Sequence, residues 1–238
     1  MSTYRTEFHV HTKASHDSFL GKYALLVMCK LKKIDCVAIT DHNEIVSAAQ
    51  WGEFLKKYGI DVIVGEEIFT AEGEIIGLFL KDRIPSNLSA IETVKKIKEQ
   101  DGIVYIPHPY DKKRHKTVIT RKALNEIKND VSCMEIHNGR NVGRDYSEKQ
   151  RMLAKEYNCV PIVGGDAHCF FELGRNFVIT SEPFSAENFL CALKSARFKS
   201  KPCILIAHKI TIFPRLVTMI RDKGYREVCR AIIRRIIS

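Results

Sequence analysis

The 238-residue chain has no apolar run approaching the roughly 20 uncharged residues that span a bilayer, no Cys-x-x-Cys pair and no internal repeat or low-complexity tract. It also has no glycine-rich phosphate cradle. The first absence argues against a membrane-spanning helix, and the polar start Met-Ser-Thr-Tyr-Arg-Thr-Glu does not read as a signal peptide, so the expected compartment is the cytoplasm. The eight cysteines, Cys29, Cys36, Cys133, Cys159, Cys169, Cys191, Cys203 and Cys229, are scattered. That spacing fits reduced, mostly buried thiols rather than a disulfide frame or a zinc finger.

Positive charge is also scarce where it would matter for nucleic acid. The net charge is +10, but residues 201–238 hold nine Lys/Arg and two Asp/Glu, so the first 200 residues carry only +3. The basic character belongs mainly to the tail and gives no sign of a long basic groove on the body.

What is present is an alternation of short apolar strands and helices. Strands are expected at 5–10, 36–39, 61–64, 75–80, 103–106, 133–136 and 160–163. Helices are expected at about 22–33, from past residue 43 to about 58, and at 89–100, 122–128, 147–157 and 186–196. Such a pattern implies a parallel sheet covered on both faces, hence an α/β fold. Polar residues recur at or just past the strand ends: His9/His11, Asp41/His42, Glu66/Glu67, His108, Glu135/Asn138 and Asp166/His168. A barrel brings all these ends to one mouth, so about seven strands favour a closed barrel over an open sheet. His9 and His11, two apart in a strand, share a face and make half a metal site. Each motif has a plainer reading: Asp41-His42 as a helix cap, Glu66-Glu67 as a solvated loop, His108-Pro109 as a buried histidine before a turn. Independent accidents of that kind have no reason to choose the same end of successive strands.

The ordered motifs FHVHTKASHDS, AITDHN, VGEEI, EIIGLF, YIPHPYD, EIHNGR and GGDAH resemble the PHP family, named for polymerase and histidinol phosphatase proteins, over residues 5–196. The resemblance implies a distorted (β/α)7 barrel with a metal site at the carboxyl end of its strands. Such proteins carry up to three metal ions and mostly hydrolyse phosphate esters. Carried over by position, His9, His11, Glu67 and Asp166 would hold one ion, and Glu67 would share a second with His108. Asp17, His42 and His168 would hold a third. His16 is an alternative to Asp17. Glu74 stands where many relatives have histidine, and reads either as an oxygen ligand to the second ion or as an exposed strand-edge acid. His137 should point away from the mouth if Glu135 points in. The pair Gly164-Gly165 is expected to let the backbone turn sharply and aim Asp166 and His168 inward.

Imidazole and carboxylate donors suit two to three ions of Mn, Fe or Zn. Such a centre activates water and clamps phosphate oxygens, so no Ser or Cys nucleophile is needed. Asp166 and His168, with Arg114 and Arg140, are expected to be catalytic, and Arg114, Arg140, Arg144 and Arg175 to grip the substrate phosphate. The expected activity is that of a phosphomonoesterase on a small phosphorylated metabolite or nucleotide. Alternatives are a nuclease acting on oligonucleotides, with nucleic acid as substrate only, or a non-catalytic, membrane-associated metal-binding module. A metal-dependent amidohydrolase shares the His-x-His start but fits the Thr-Asp-His and Gly-x-Glu motifs poorly.

The chain divides into a barrel over 1–200 and a basic extension over 201–238. Residues 203–213 read as β-like, and 215–237 as a basic amphipathic helix whose apolar stripe packs on the barrel or on a second copy, or lies on an anionic membrane surface.

Overall fold

The computed structural model describes residues 3–111, 114, 116–142, 145–202, 204–212, 214, 217 and 221. Seven strands close into a barrel: β1 (Tyr4–Val10), β2 (Cys36–Ile39), β3 (Asp61–Thr70), β4 (Gly73–Leu78), β5 (Ile103–Ile106), β6 (Cys133–Asn138) and β7 (Val160–Ala167). Each pairs with the next, and β7 returns to β1 through Phe8 opposite Gly164. Helices α1 (Lys22–Lys32), α2 (Val46–Lys56), α3 (Ala90–Lys98), α4 (Arg121–Ile127) and α5 (Tyr146–Glu156) surround it.

The expected wholly parallel sheet needs correction at one strand. β4 runs antiparallel to both neighbours, because β3 and β4 form a hairpin with no helix between them. The inversion brings the amino end of β4, with Glu74, to the mouth where the other strands present their carboxyl ends. Two further strands were not expected. β8 (Phe177–Thr180) pairs antiparallel with the first half of β1, and β9 (Arg197–Lys199) pairs with β8. Between them lies α6 (Phe189–Lys194).

The barrel interior is filled by one side chain or more from nearly every strand, among them Phe8, Ala38, Ile76, Tyr105, Cys133 and Ile162. Phe8 packs edge-on against Phe184 and Phe189 at ring separations of 5.3 and 5.8 Å. Val10, Val37 and Ile39 face outward onto α1 and α2. Local signals fix the helix starts. Ser89 and Glu92 form a reciprocal capping box at α3, and the Thr120 side chain accepts from Ala123 N at α4. Cys29, Cys36, Cys133, Cys159 and Cys169 are buried free thiols, and Cys191 is exposed.

Residues 205–210, expected to be β-like, instead form a short helix, α7 (Leu205–Ile210). The expected helix over 215–237 lies almost wholly outside the described residues. Among the described residues no helix is long and apolar enough to cross a membrane.

The β3–β4 hairpin depends on Gly73, whose φ is +131° and where a Cβ would lie 2.4 Å from Ile119 Cα. Gly73→Ala should cost about 3 kcal/mol from strain and overpacking. In a domain of this size that lowers Tm by roughly 6–12 °C. Thermal unfolding checks it, and an unchanged Tm would mean that the turn relaxes freely.

Candidate metal centre

His9 and His11 share a face as expected, but β1 is not a regular strand. His9 has φ +63°, and the register against β2 and β7 slips around it. The bulge lets the consecutive residues Phe8 and His9 both face inward, which strict alternation forbids. His108 and Asp166 also have left-handed backbones, at φ +28° and +49°. Such conformations cost about 1–3 kcal/mol each and persist where surrounding structure enforces them. The expected role of Gly164-Gly165 is therefore corrected, since the unusual φ sits on Asp166 itself. The glycines allow close approach: a Cβ on Gly164 would lie 1.9 Å from Glu135 Oε1, and one on Gly165 2.6 Å from Glu7 Oε1.

Glu67, buried on β3, is the centre of the cluster. Its Oε1 lies 3.2 Å from His9 Nε2 and 3.0 Å from His108 Nε2. Its Oε2 lies 3.2 Å from His11 Nε2 and 3.2 Å from His42 Nδ1. Asp166 Oδ1 stands 3.7 Å from both His9 Nε2 and His11 Nε2. A second grouping joins Asp17 Oδ1 to His168 Nε2 at 3.2 Å and to His42 Nε2 at 3.7 Å. The two ring nitrogens of His42 thus face different acids. Glu74 is not an exposed edge acid. It is buried, with Oε2 3.2 Å from His108 Nε2 and Oε1 3.7 Å from His42 Nδ1. All nine expected ligand positions converge on one mouth.

A layer of buried polar groups behind these residues sets which nitrogen faces the cluster. Glu135 accepts from Tyr105 Oη (2.5 Å), His108 N (2.6 Å) and Asn138 Nδ2 (2.9 Å). It also meets His9 Nδ1 at 2.7 Å, so Nδ1 carries the proton and Nε2 presents a lone pair to the mouth. Asp41 accepts from Thr12 N, Thr12 Oγ1, Ser15 Oγ and Ser47 Oγ at 2.6–2.7 Å. Ser15 Oγ, committed as donor to Asp41, accepts from His11 Nδ1 at 3.1 Å and leaves His11 Nε2 free for the cluster. His168 Nδ1 donates to Asp166 O at 2.9 Å. Sequence reasoning missed the orienting parts of Glu135, Tyr105, Ser15 and Asp41. Glu135 was noted at a strand end without an orienting part, and Tyr105 read only as one more residue of an apolar strand.

The donor set fits a multivalent cation. His9 Nε2, His11 Nε2 and His42 Nδ1 are buried without hydrogen-bond partners, although each faces a carboxylate oxygen at 3.2 Å. Lone pair against carboxylate is repulsive unless a positive charge lies between. Donors held about 2.1 Å from one tetrahedral ion are roughly 3.4 Å apart, which is the spacing found here. Groupings able to share an ion are His9/His11/Glu67, His11/His42/His168, His42/Glu67/Glu74 and His16/Asp17/His42.

Without an ion, protons take its place. Burial alone would raise the Glu67 carboxyl, but the His9 and His42 rings, with those of His108 and His11 beside them, hold it well below its ordinary value. Burial opposes the charged forms of His42 and His108, yet the facing acids raise both to about 9. His168 goes the other way: burial drives it down to about 3, with Arg140 and His11 adding to the effect against Asp17.

Of the expected substrate cations, Arg114 reaches the cluster: Nη2 pairs with Asp166 Oδ2, and Nε lies 3.3 Å from Asp111 Oδ2. Arg140 is buried, donating from Nη2 to Thr211 Oγ1 at 2.6 Å, with Nε 3.6 Å from Glu172 Oε1. Glu172 in turn accepts from His168 N at 2.8 Å. Arg175 donates to Pro202 O at 2.8 Å. Arg144 lies outside the described residues. His137 faces away from the mouth, toward Ser147 Oγ (2.8 Å) and Lys201 O (3.1 Å). His16 is exposed, its ring 5.2 Å from that of His42.

The PHP domain family matches residues 7–232. Two uncharacterised proteins of Methanocaldococcus jannaschii are similar. MJ1587 is 44% identical over 116 residues (44% of this chain and 68% of that protein). MJ0417 is 33% identical over 180 residues (75% and 71%). Among solved structures, PsfC from Pseudomonas syringae superposes with a TM-score of 0.67 at 16% identity, covering 92% of this chain and all of that one. A candidate metal-dependent phosphoesterase from Bifidobacterium adolescentis gives 0.58 at 14% identity (68% and 87% covered). An amidohydrolase from Chromobacterium violaceum, with bound sulfate and no metal, gives 0.55 at 14% identity (69% and 87%). At these identities the solved structures establish the shared barrel, and the sequence match over nearly the whole chain establishes more: the chain belongs to the PHP domain family.

Proposed function

We propose that this protein is a metal-dependent hydrolase of phosphate esters, acting as a phosphomonoesterase on a small phosphorylated metabolite or nucleotide in the cytoplasm. The observation that carries the reading is Glu67, a buried carboxylate with imidazole nitrogens of four histidines at 3.0–3.2 Å. His9, His11, Glu67 and Asp166 would hold one ion, Glu67, Glu74 and His108 a second, and Asp17, His42 and His168 a third, with Mn, Fe or Zn suiting these donors. When bound, the ions supply an acidified water as nucleophile and neutralise charge on the phosphoryl oxygens and the departing oxygen.

The chain's own groups supply orientation. Glu135 keeps the proton on His9 Nδ1, and Ser15, fixed by Asp41, does the same for His11. Arg114, about a quarter exposed and already seated on Asp166, is the guanidinium placed to take a phosphate oxygen. Arg140 is buried against Glu172 and Thr211, so its part is in holding the His168 loop rather than in contacting substrate. The neighbour described as a candidate phosphoesterase supports the reaction class. The body charge of only +3 disfavours a nuclease.

Elemental analysis of the purified protein should find two to three equivalents of Mn, Fe or Zn, and chelation should abolish hydrolysis of an aryl phosphate. Glu67→Ala should lose metal and activity together. Glu135→Gln should weaken metal binding by about 10–100-fold, as loss of a ligand's orienting carboxylate does elsewhere. Metal without phosphatase activity would shift the reading to oligonucleotides, and no metal on reconstitution would end it.

Removing the metal should also create a pH dependence. His42 and His108 are raised to about 9 from an ordinary 6.5, so their protonation stabilises the fold. That contribution is fully present below pH 6.5 and is lost as the pH rises through 9. Tm of chelated protein should therefore fall across this window, while that of metal-loaded protein changes less. Parallel curves would show that protons and ions do not compete for these acids.

A further inference from the structure

Beside the metal centre lies a cavity that none of the chemistry above uses. Its volume is about 590 Å³, within the range of roughly 300–1,000 Å³ typical of small-molecule sites. It lies between the loop that follows β5 and the flank of α5; its walls are largely apolar, from Val118, Ile119, Leu124, Met152 and Leu153 with Tyr110 at one end, while Asp111, Arg121 and Glu156 add charge to the lining. The Tyr110 ring is held in place. Lys149 Nζ lies 4.8 Å from its centre and donates to its hydroxyl at 3.0 Å, and Tyr146 packs edge-on at 5.6 Å.

The cavity and the cluster meet at two points. Pro109, in the cavity wall, directly follows His108, which is in the cluster. Arg114 lines the cavity while its guanidinium pairs with Asp166. Arg114 thus borders both spaces. The exposed apolar surface also needs a reason. Met152 is 65% exposed on α5, facing the cavity beside the buried Leu124. A surface of this kind beside a charged centre is a recurring form of ligand site, with apolar walls for bulk and a few polar groups for orientation.

Resting on the phosphoesterase reading, we infer that this cavity is the leaving-group subsite, and that the substrate is a phosphate ester of a flat, largely apolar alcohol of about two rings in size. The phosphate would lie at the cluster, Arg114 would bridge phosphate and cavity, and the ring system would pack between Tyr110 and Met152. Sugar phosphates, which are hydroxylated all round, would gain nothing from these walls. Hydrolysis breaks the phosphorus–oxygen bond, with water supplying the hydroxyl to phosphorus and the proton to the departing alcohol.

The test compares ethyl phosphate with 2-(2-naphthyl)ethyl phosphate on the metal-loaded protein, since both release primary alcohols of similar acidity. KM for the naphthyl ester should be at least about tenfold lower, as burying a two-ring apolar group allows. Met152→Glu, a change at an exposed position, should bring the ratio of the two KM values close to one. Calorimetric titration with 2-(2-naphthyl)ethanol alone should show binding that Met152→Glu weakens several-fold. Equal KM values for the two esters, or alcohol binding that is absent or indifferent to Met152→Glu, would overturn the subsite. If neither ester is hydrolysed, the phosphoesterase reading fails and the alcohol titration still decides whether the cavity takes an apolar ring.

Discussion

The structure depends on one buried charge. Glu67 sits about 1% exposed at the barrel mouth, where an unpaired carboxylate would cost several kcal/mol. Four imidazoles from β1, the loop after β2 and the loop after β5 surround it, so strands distant in sequence must end at one height for the charge to be tolerated. Closure of β7 onto β1 brings Asp166 to His9 and His11, and the bulge at His9 sets those rings facing inward. Barrel closure and charge compensation are the same constraint seen at two scales.

Meeting that constraint requires the chain to break its own local rules at the mouth. Three cluster residues adopt left-handed backbone without being glycine, and one strand reverses direction. The glycines nearby serve a different end. At Gly164 a side chain would occupy the space of the Glu135 carboxylate, so the strand must be bare there for the group that orients His9 to exist. Regular patterning prevails below the mouth, where Phe8, Ile76, Tyr105 and Ile162 fill the interior. Departures from regular geometry concentrate where function is expected to concentrate.

This division explains what the sequence revealed. Strand-and-helix alternation is a periodic signal, so β2 and β5 were placed to the residue and most helices to within a few. Most cluster residues were legible because they stand at or near the mouth ends of strands, and position along a strand carries over directly into height on a barrel, whereas Asp17 was placed only by the family resemblance. The reversal of β4 was missed because β3 was expected to end at Val64; it runs on to Thr70, and the short link from there to Gly73 can join only antiparallel strands. With the direction unknown, Glu74 could be read as an exposed edge acid. The orienting groups escaped notice because their role is defined by another side chain's second nitrogen, which no spacing rule encodes. Strand β8 was missed although Phe177-Val-Ile-Thr180 has a strand's composition, since four residues antiparallel to half of β1 fall outside the β/α rhythm.

Charge balance relates the architecture to the proposed chemistry. Asp17, Asp41, Glu67, Glu74, Asp111, Glu135 and Asp166 bring seven carboxylates to the mouth, and Arg114 offsets one, leaving six negative charges. Arg140 and Glu172 offset each other behind it. With neutral histidines, two divalent ions would leave such a site net negative, hostile to a phosphate dianion, and a third would bring it to about neutral. On the proposed reading, occupancy of the grouping of Asp17, His42 and His168 therefore removes the excess negative charge that a phosphate dianion would otherwise meet. Arg114 strengthens the same bias from the cavity side, and only the groups lining the cavity beyond it are free of this electrostatic duty. Those groups are the ones left to discriminate among alcohols, which is why selectivity is sought in the apolar walls rather than in the cluster.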